Sequence, residues 1–497
     1  MSQVLQDYVR LLAGIYLVLG ILLCSSNVRA QTVPDTLWAW DGLKTVSACQ
    51  NPTSSASLAT CFSGLSPQVQ TNYLMATDGI NIYTASGMQG WGYSCPISGL
   101  GTGCSQISVG PYVSSQLYQH TVSAIAAGGG FIYTAQTDGT IWKCPSTIQW
   151  TGTIPTAAEA TANYNCVQLD SSGNNYASSL VLVNDTLYVG LEGGTKNFGL
   201  IWSCNVNSIN DCATLDNPGK NNVLSLTAGA GYLWAGLENG IVWRCDLEIA
   251  NSCVTWEKAS QQIGGLAYDG QGTLGAVTGG YYYDSSNTYV ASTGVLWSCP
   301  TSYANGCTTL VNKTIGSKDV YNFTVAAGEG SVWGSGFVGN IYSQSSYGTT
   351  YVTLGNTAYT ADYPWQYNNR TDQGYSYDAA ALLYIPAGGI TTGGTARVQV
   401  PFTGDATRLA RVCSYMGRRA IANVTISGPY GKVKRRVNLC KYYDANAGQA
   451  EIEFGALDLG AYRVTVQNQS YYGQADFVLN NKNVQGVSVP LNKKRRK

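Results

Sequence analysis

One histidine, His120, occurs in the 497 residues. That scarcity excludes a His-based metal centre, a Ser-His-Asp triad and a histidine acid–base pair within a single molecule. Phenylalanine is sparse as well, with 8 residues against 35 tyrosines and 12 tryptophans. There is no P-loop, no G-x-S-x-G and no EF-hand loop. Past the first thirty residues, no apolar run reaches the roughly 20 residues that cross a bilayer as a helix. Gly334-Ser-Gly-Phe-Val-Gly339 matches G-x-G-x-x-G, but a dinucleotide site needs strand, turn and helix in that order and no helix pattern follows. Its glycines read as turn residues.

What is present begins with an export signal. Arg10, the apolar run Leu11 to Cys24 and Val28-Arg29-Ala30 form a signal peptide over 1–30, with small residues placed for cleavage. Removing it takes Cys24 away and leaves fourteen of the fifteen cysteines, an even number. Sequential pairing accommodates all of them: Cys49 with Cys61, Cys95 with Cys104, Cys144 with Cys166, Cys204 with Cys212, Cys245 with Cys253, Cys299 with Cys307, and Cys413 with Cys440. Such pairing implies an oxidising compartment and removes thiolate chemistry and structural zinc. Sequons at Asn184, Asn312, Asn322, Asn369, Asn423 and Asn468 agree with export, and a subset of them is expected to carry glycan. The expected location is outside the cell, in a wall or matrix.

The formal charge of zero conceals two opposite parts. Residues 31–395 hold 9 Lys and Arg against 21 Asp and Glu, whereas residues 396–497 hold 17 against 6. A shift of that size marks a domain boundary.

Four of the first cysteines stand in Trp-x-Cys after an apolar residue: Ile141-Trp142-Lys143-Cys144, Ile201-Trp202-Ser203-Cys204, Val242-Trp243-Arg244-Cys245 and Leu296-Trp297-Ser298-Cys299. Gly92-Tyr93-Ser94-Cys95 is a variant. Each is preceded by two short alternating runs split by an Asp-Gly- or Asn-Gly-type turn, as in Leu226 to Gly231, Tyr232 to Gly236 and Glu238-Asn239-Gly240. A further alternating run follows the second cysteine, as in Cys253-Val-Thr-Trp256. The unit is therefore four antiparallel strands with a disulfide stapling the third to the fourth. Successive first cysteines from Cys49 to Cys299 lie 46, 49, 60, 41 and 54 residues apart. That period, with four strands per unit, predicts propeller blades. A seventh copy, Phe323 to Ser343, carries Gln344 in place of cysteine. Blade one has no room for its first strand before Thr36, and residues 355–367 are expected to supply it and close the ring. The expected fold is all-β: a seven-bladed β-propeller over 31–395, a small β-sandwich over 396–490 and a basic tail over 491–497.

The C-terminal prediction rests on Val424-Thr-Ile-Ser-Gly-Pro-Tyr-Gly431 and Gly460-Ala-Tyr-Arg-Val-Thr-Val466. These pieces resemble the prealbumin-like repeats of bacterial surface adhesins and the regulatory domains of carboxypeptidases. The resemblance covers about a fifth of the chain. It implies a spacer or adhesion module and transfers no catalytic residue.

Candidate sites are few. Asp41, Asp78, Asp138, Glu192 and Glu238 share the turn between second and third strands, a repetition that marks backbone geometry. A pair of them serving a carboxylate-dependent hydrolase or lyase is the rival reading. The same turns offer a calcium rim, although no D-x-D-x-D spacing supports one; no other cofactor and no metal site is expected. Trp142, Trp202, Trp243 and Trp297 read as packing between blades. Tyr281, Tyr282 and Tyr283 occupy an insertion in blade six, and three adjacent tyrosines on a strand cannot all face inward, which makes them candidates for stacking on a sugar. Lys432, Lys434, Arg435 and Arg436, with Lys441 and the tail Lys493 to Lys497, form a basic patch. Behind a signal peptide, its expected partner is an acidic polysaccharide or matrix glycoprotein, or the acidic propeller of another copy, and not nucleic acid. The leading expectation is a secreted non-catalytic glycoprotein that binds glycan or protein through propeller loops; the third is a structural subunit of a fibre or sheath.

Overall fold

The computed structural model describes residues 35–494 apart from 41–45, 51–73, 86–90, 100–102, 112–121, 150–155, 193–198, 284–288, 339–346, 362–380, 386–393, 414–419, 480–483 and gaps of one or two residues elsewhere. The signal segment, Cys61 and with it the first staple, His120, Asp41, Asn312, Asn369 and the last three residues lie outside the described residues.

The repeat folds as the alternation dictates. In blade five, Val223–Gly229, Tyr232–Leu237, Ile241–Asp246 and Val254–Lys258 pair antiparallel in chain order. Gly240, at φ +83°, closes the turn between second and third strands, where an added Cβ would strike the carbonyl oxygens of Ala259 and Gln261 at 2.6 Å. Equivalent four-stranded sheets begin at Leu74, Val122, Tyr176 and Ile263, and in blade seven a short extra strand, Thr314–Ile315, pairs with the first strand Lys318–Gly328. The first strand of each packs beside the first strand of the next around the whole ring. In blade six the tyrosine insertion is a separate hairpin, Gly280–Tyr283 with Tyr289–Ser292.

Blade one combines both ends of the ring. Thr36–Trp40 pairs with Val46–Gln50 on one side and with Ala381–Ile385 on the other. The strand that closes the ring is thus 381–385 and not the expected 355–367, because Thr357–Ala361 is taken as the fourth strand of blade seven. Two contacts secure the join: Tyr384 stacks on Trp333 of blade seven at 4.8 Å, and its ring fills the place of a Cβ on Gly328. Gly229 receives Tyr268 in the same way between blades five and six.

Five propeller staples are present, 95–104, 144–166, 204–212, 245–253 and 299–307, with Cα separations of 3.9 to 4.2 Å. The 144–166 loop encloses the helix Ala157–Tyr164, started by a capping box of Thr156 and Glu159. The expected role of the Trp-x-Cys tryptophans is only partly met. Trp142 is buried, but Trp202, Trp243 and Trp297 are half-buried, and the fully buried tryptophans are Trp38, Trp234 and Trp333 of the second strands. The second strand lies next to the first strands that pack around the axis, while the third lies nearer the rim.

Neighbouring blades are also tied by a recurrent polar clasp. Asp170, Asp216 and Glu257, each on a fourth strand, accept the backbone N–H of Cys212, Cys253 and Cys307 in the following blade at 3.1, 2.8 and 3.2 Å. Two residues before each of those cysteines, Asn210, Asn251 and Asn305 adopt φ of 54° to 57°. Their N–H groups donate to the carbonyls of Leu169, Leu215 and Trp256. A carboxylate accepting a backbone N–H is worth roughly 1.5–3 kcal/mol, so the acids repeat for structural reasons.

From Gly394 the pattern changes to two sheets. One orders Tyr443–Asp444, Gln449–Leu457, Gly394–Pro401 and Val484–Ser488; the other orders Gly431–Asn438, Ile421–Gly428, Gly460–Gln467, Tyr471–Leu479 and Asn492–Lys493. Val398, Val400, Ile452 and Phe454 from the first share one core with Val424, Ile426, Val464 and Val466 from the second. The 413–440 disulfide ties the helix Thr407–Cys413 to this unit. Among the described residues no helix is long and apolar enough to cross a membrane.

Candidate functional site

The C-terminal unit sits on the end of the ring formed by the turns between first and second strands. Strand Gly431–Asn438, an edge of its sheet, alternates strictly: Val433, Arg435 and Val437 are buried while Lys432, Lys434 and Arg436 are exposed. Exposed charges of this kind also protect an edge from pairing with another chain.

The structure therefore separates Arg435 from its neighbours in the basic patch. Its side chain is 1% exposed, and its Nε lies 2.7 Å from Asp246 Oδ1 of blade five. Nη1 donates to the Glu453 carbonyl at 2.6 Å, and the guanidinium lies over Phe454, 4.3 Å from the ring centre. Arg435 is a bolt between the two units and is not open to an external anion. Around it, Gly231 N donates to Ala456 O at 2.8 Å and the Tyr232 hydroxyl donates to Lys432 O at 3.2 Å. Burial raises the Tyr232 hydroxyl above its ordinary range, which keeps it a donor. Asn184, in a turn of blade four, brings its Nδ2 to 3.0 Å from where a Cβ would stand on Gly455.

Two cavities adjoin this contact. The first, about 280 Å³, is the mouth of the central channel. First strands of all seven blades line it, among them Ala126, Ala228 and Ala327, and Ala456 of the C-terminal unit stands at its edge. The only acid in its described lining is Asp269, whose Oδ1 accepts from Gln271 N and Thr273 N and whose burial raises its pKa. The converging acid pair that a hydrolase would need is absent from that described lining. The second cavity, about 360 Å³, lies between blades five and six and the C-terminal unit. Tyr232, Arg244, Thr301, Ser302, Ser427 and Lys432 line it.

The remaining sequence candidates are dispersed. Asp78 lies between the first and second strands of its blade, Leu74–Thr77 and Asn81–Ala85, and not between the second and third as expected; it accepts from Ile80 N, Asn81 N and the Tyr83 hydroxyl, while Asp138 accepts from Thr140 N, so both brace their own turns. Glu192 is half-buried; desolvation first, and then the charge of Glu238, push it up to about 7. No group of three or more His, Cys, Asp or Glu arranged for a metal occurs among the described residues. Asn423 and Asn184 are exposed. Asn468 Oδ1 accepts from Ser470 N and Tyr471 N at 2.8 and 2.7 Å. Asn322 lies within the strand Lys318–Gly328. Arg244 went unmarked in the sequence because its place over two rings depends on Tyr232 and Trp256, each on another strand.

No family model matches the chain. No curated protein matches it either. Among solved structures it is similar to the β-propeller domain of Myceliophteria thermophila Cps50 (Swd1), at 10% identity over 61% of this chain and 90% of that one, with a TM-score of 0.41. It is likewise similar to the WD40 β-propeller domain of Doa1, at 11% identity over 61% and 87% with a TM-score of 0.39. The computationally designed Ika8 protein is a third, at 10% identity over 70% and 89% and a TM-score of 0.39.

Proposed function

We propose that the protein is an extracellular, non-catalytic binding protein, a stapled propeller platform that attaches to acidic polysaccharide or matrix glycoprotein through a sandwich-type C-terminal module. The outward row Lys432, Lys434 and Arg436 carries this reading, because its three cations repeat along one strand while the residues between them are fixed inward. The disulfides and the excess of Tyr and Trp over Phe support the setting. The platform supplies rigidity; the strand supplies a linear charge pattern for a linear polyanion. Charge attraction across an exposed surface is screened within about 8 Å at physiological salt, so retention should fall steeply with ionic strength.

The test is retention of the whole chain on immobilised polygalacturonate and heparin, against the triple variant K432E/K434E/R436E. The reading expects retention that salt releases and that the triple variant loses. Equal retention of both proteins, or none of either, would overturn it.

A carboxylate-dependent hydrolase is the second reading, favoured by the raised pKa of Glu192 beside Glu238. It expects oligosaccharide release from a wall polymer that Glu192→Gln abolishes.

A further inference from the structure

We propose that the cleft between blades five and six and the C-terminal unit binds a single anionic sugar residue, one bearing a carboxylate or sulfate, with the Arg244 guanidinium as its principal contact. This deepens the acidic-polysaccharide reading and rests on it.

Arg244 is half-buried yet differs from the three ion-paired arginines. Arg397, Arg435 and Arg463 each meet a carboxylate at 2.7 Å. Among the described residues no carboxylate lies within ion-pair distance of Arg244. Instead its guanidinium is held over two rings, 4.2 Å from the centre of Trp256 and 4.5 Å from that of Tyr232. Trp256 is itself fixed, with its indole N–H donating to Pro300 O at 3.2 Å and its ring edge-on to Trp234 at 5.3 Å. Rings accept no strong hydrogen bond, so a guanidinium seated over them keeps N–H donors for a ligand, and a guanidinium recognises a planar carboxylate or a sulfate in two-point fashion.

The rest of the cleft fits the same ligand. Lys432 brings a second cation from the other unit, and the exposed Ser302 and Ser427 add hydroxyls able to pair with those of a sugar, while the Thr301 hydroxyl is committed to Gly272 O. No acid lines the described cleft, because Asp246, two residues from Arg244, is turned away onto Arg435. The volume, about 360 Å³, is at the small end of the roughly 300–1,000 Å³ typical of ligand sites. That suits one sugar ring or two better than a folded partner. Arg244 and Lys432 meet only while the units are docked, so affinity for the sugar and docking are linked.

The experiment is calorimetric titration of the full chain, at low salt, with trigalacturonate, a sulfated chondroitin disaccharide, a neutral galactotriose and tri-glutamate. Wild-type protein should bind an acidic sugar. Arg244→Gln should weaken that binding roughly 10- to 100-fold, the worth of a charge-assisted contact, and Arg244→Lys, which keeps charge but not the fork, should restore only part of it. Arg408→Gln, on the exposed side of the helix Thr407–Cys413 and outside the cleft, should leave it within about threefold, a small charge effect. Preference between trigalacturonate and the sulfated sugar identifies the natural anion, and either one satisfies the proposal. Equal binding by Arg244→Gln, or binding of the neutral sugar or tri-glutamate as tight as the acidic sugars, would overturn it. Failure of every short sugar while polymers remain retained through the basic row would remove the cleft but keep the broader reading; loss of both would remove both. An unchanged thermal transition in Arg244→Gln guards against misfolding.

Discussion

Removing one partner of the Arg435–Asp246 bolt should unseat the C-terminal unit without unfolding it. At 2.7 Å and an effective dielectric of about 20 the attraction is about 6 kcal/mol. Burying each ion costs several kcal/mol, so the intact pair contributes little net stability. Single removal is different, because it strands a charge. In Asp246→Asn the guanidinium, 1% exposed, keeps its Glu453 carbonyl and the Phe454 face but loses the Asp246 carboxylate, a cost of about 3–5 kcal/mol. With that cost falling on docking, the open population rises about 10²- to 5 × 10³-fold. Gly231 reports it directly, since its N–H donates to Ala456 O only in the docked state. Hydrogen exchange at Gly231 should accelerate by that factor in Asp246→Asn and in Arg435→Met, while amides inside the core of the C-terminal unit keep their protection. The double variant D246L/R435M should recover most of the loss, as an apolar pair replaces the ionic one. Gly231 protection unchanged within threefold in both single variants would refute the assignment of the bolt.

Further outcomes follow from the same geometry. Glu192 titrates from an ordinary 4.5 up to about 7 in the fold, so the folded state holds the proton more tightly; stability should fall by on the order of 3 kcal/mol as pH rises from about 4.5 to 7 and level off above, and Glu192→Gln should remove that slope in denaturant titrations. Gly328→Ala places a Cβ 1.9 Å from a Tyr384 ring atom and should lower the ring's stability by about 1–3 kcal/mol, with Tyr384→Ala in the same chain relieving part of the clash in a thermal melt. Glycopeptide mass spectrometry should find Asn423 occupied and Asn184 empty in the docked protein, because a glycan on Asn184 would claim the space of Gly455. Replacing Cys245 and Cys253 together by Ser should cost roughly 2.5 kcal/mol by the loop-entropy account, measured by urea unfolding.

The blades were legible because everything that makes them is local: alternation, a glycine turn and two cysteines eight or nine residues apart in four of the five propeller staples. The clasps between blades were not, since each joins an acid to an amide 37 to 50 residues later. Their trace exists all the same, in Leu169-Asp170, Leu215-Asp216 and Trp256-Glu257 followed by Asn-x-Cys. The closing strand was misplaced because blade seven has no staple to mark its fourth strand, leaving two β-rich runs, 357–361 and 381–385, open to either role. Arg435 was grouped with its basic neighbours on charge, although strand alternation already put it on the face of Val433 and Val437. The cleft lay beyond reach, because Arg244 and Lys432 are brought together by docking and by no feature of either segment.

The join in blade one sets an order of manufacture. Thr36–Trp40 leaves the ribosome about 340 residues before its partner Ala381–Ile385. At roughly 5–20 residues per second that is a wait of about 20 to 70 s. Throughout it Leu37 and Trp38, wholly enclosed in the finished molecule, lack one of their neighbours. A chain interrupted anywhere before residue 381 would present that bare edge permanently, a ready mark by which a cell's folding machinery could tell an incomplete copy from a finished one.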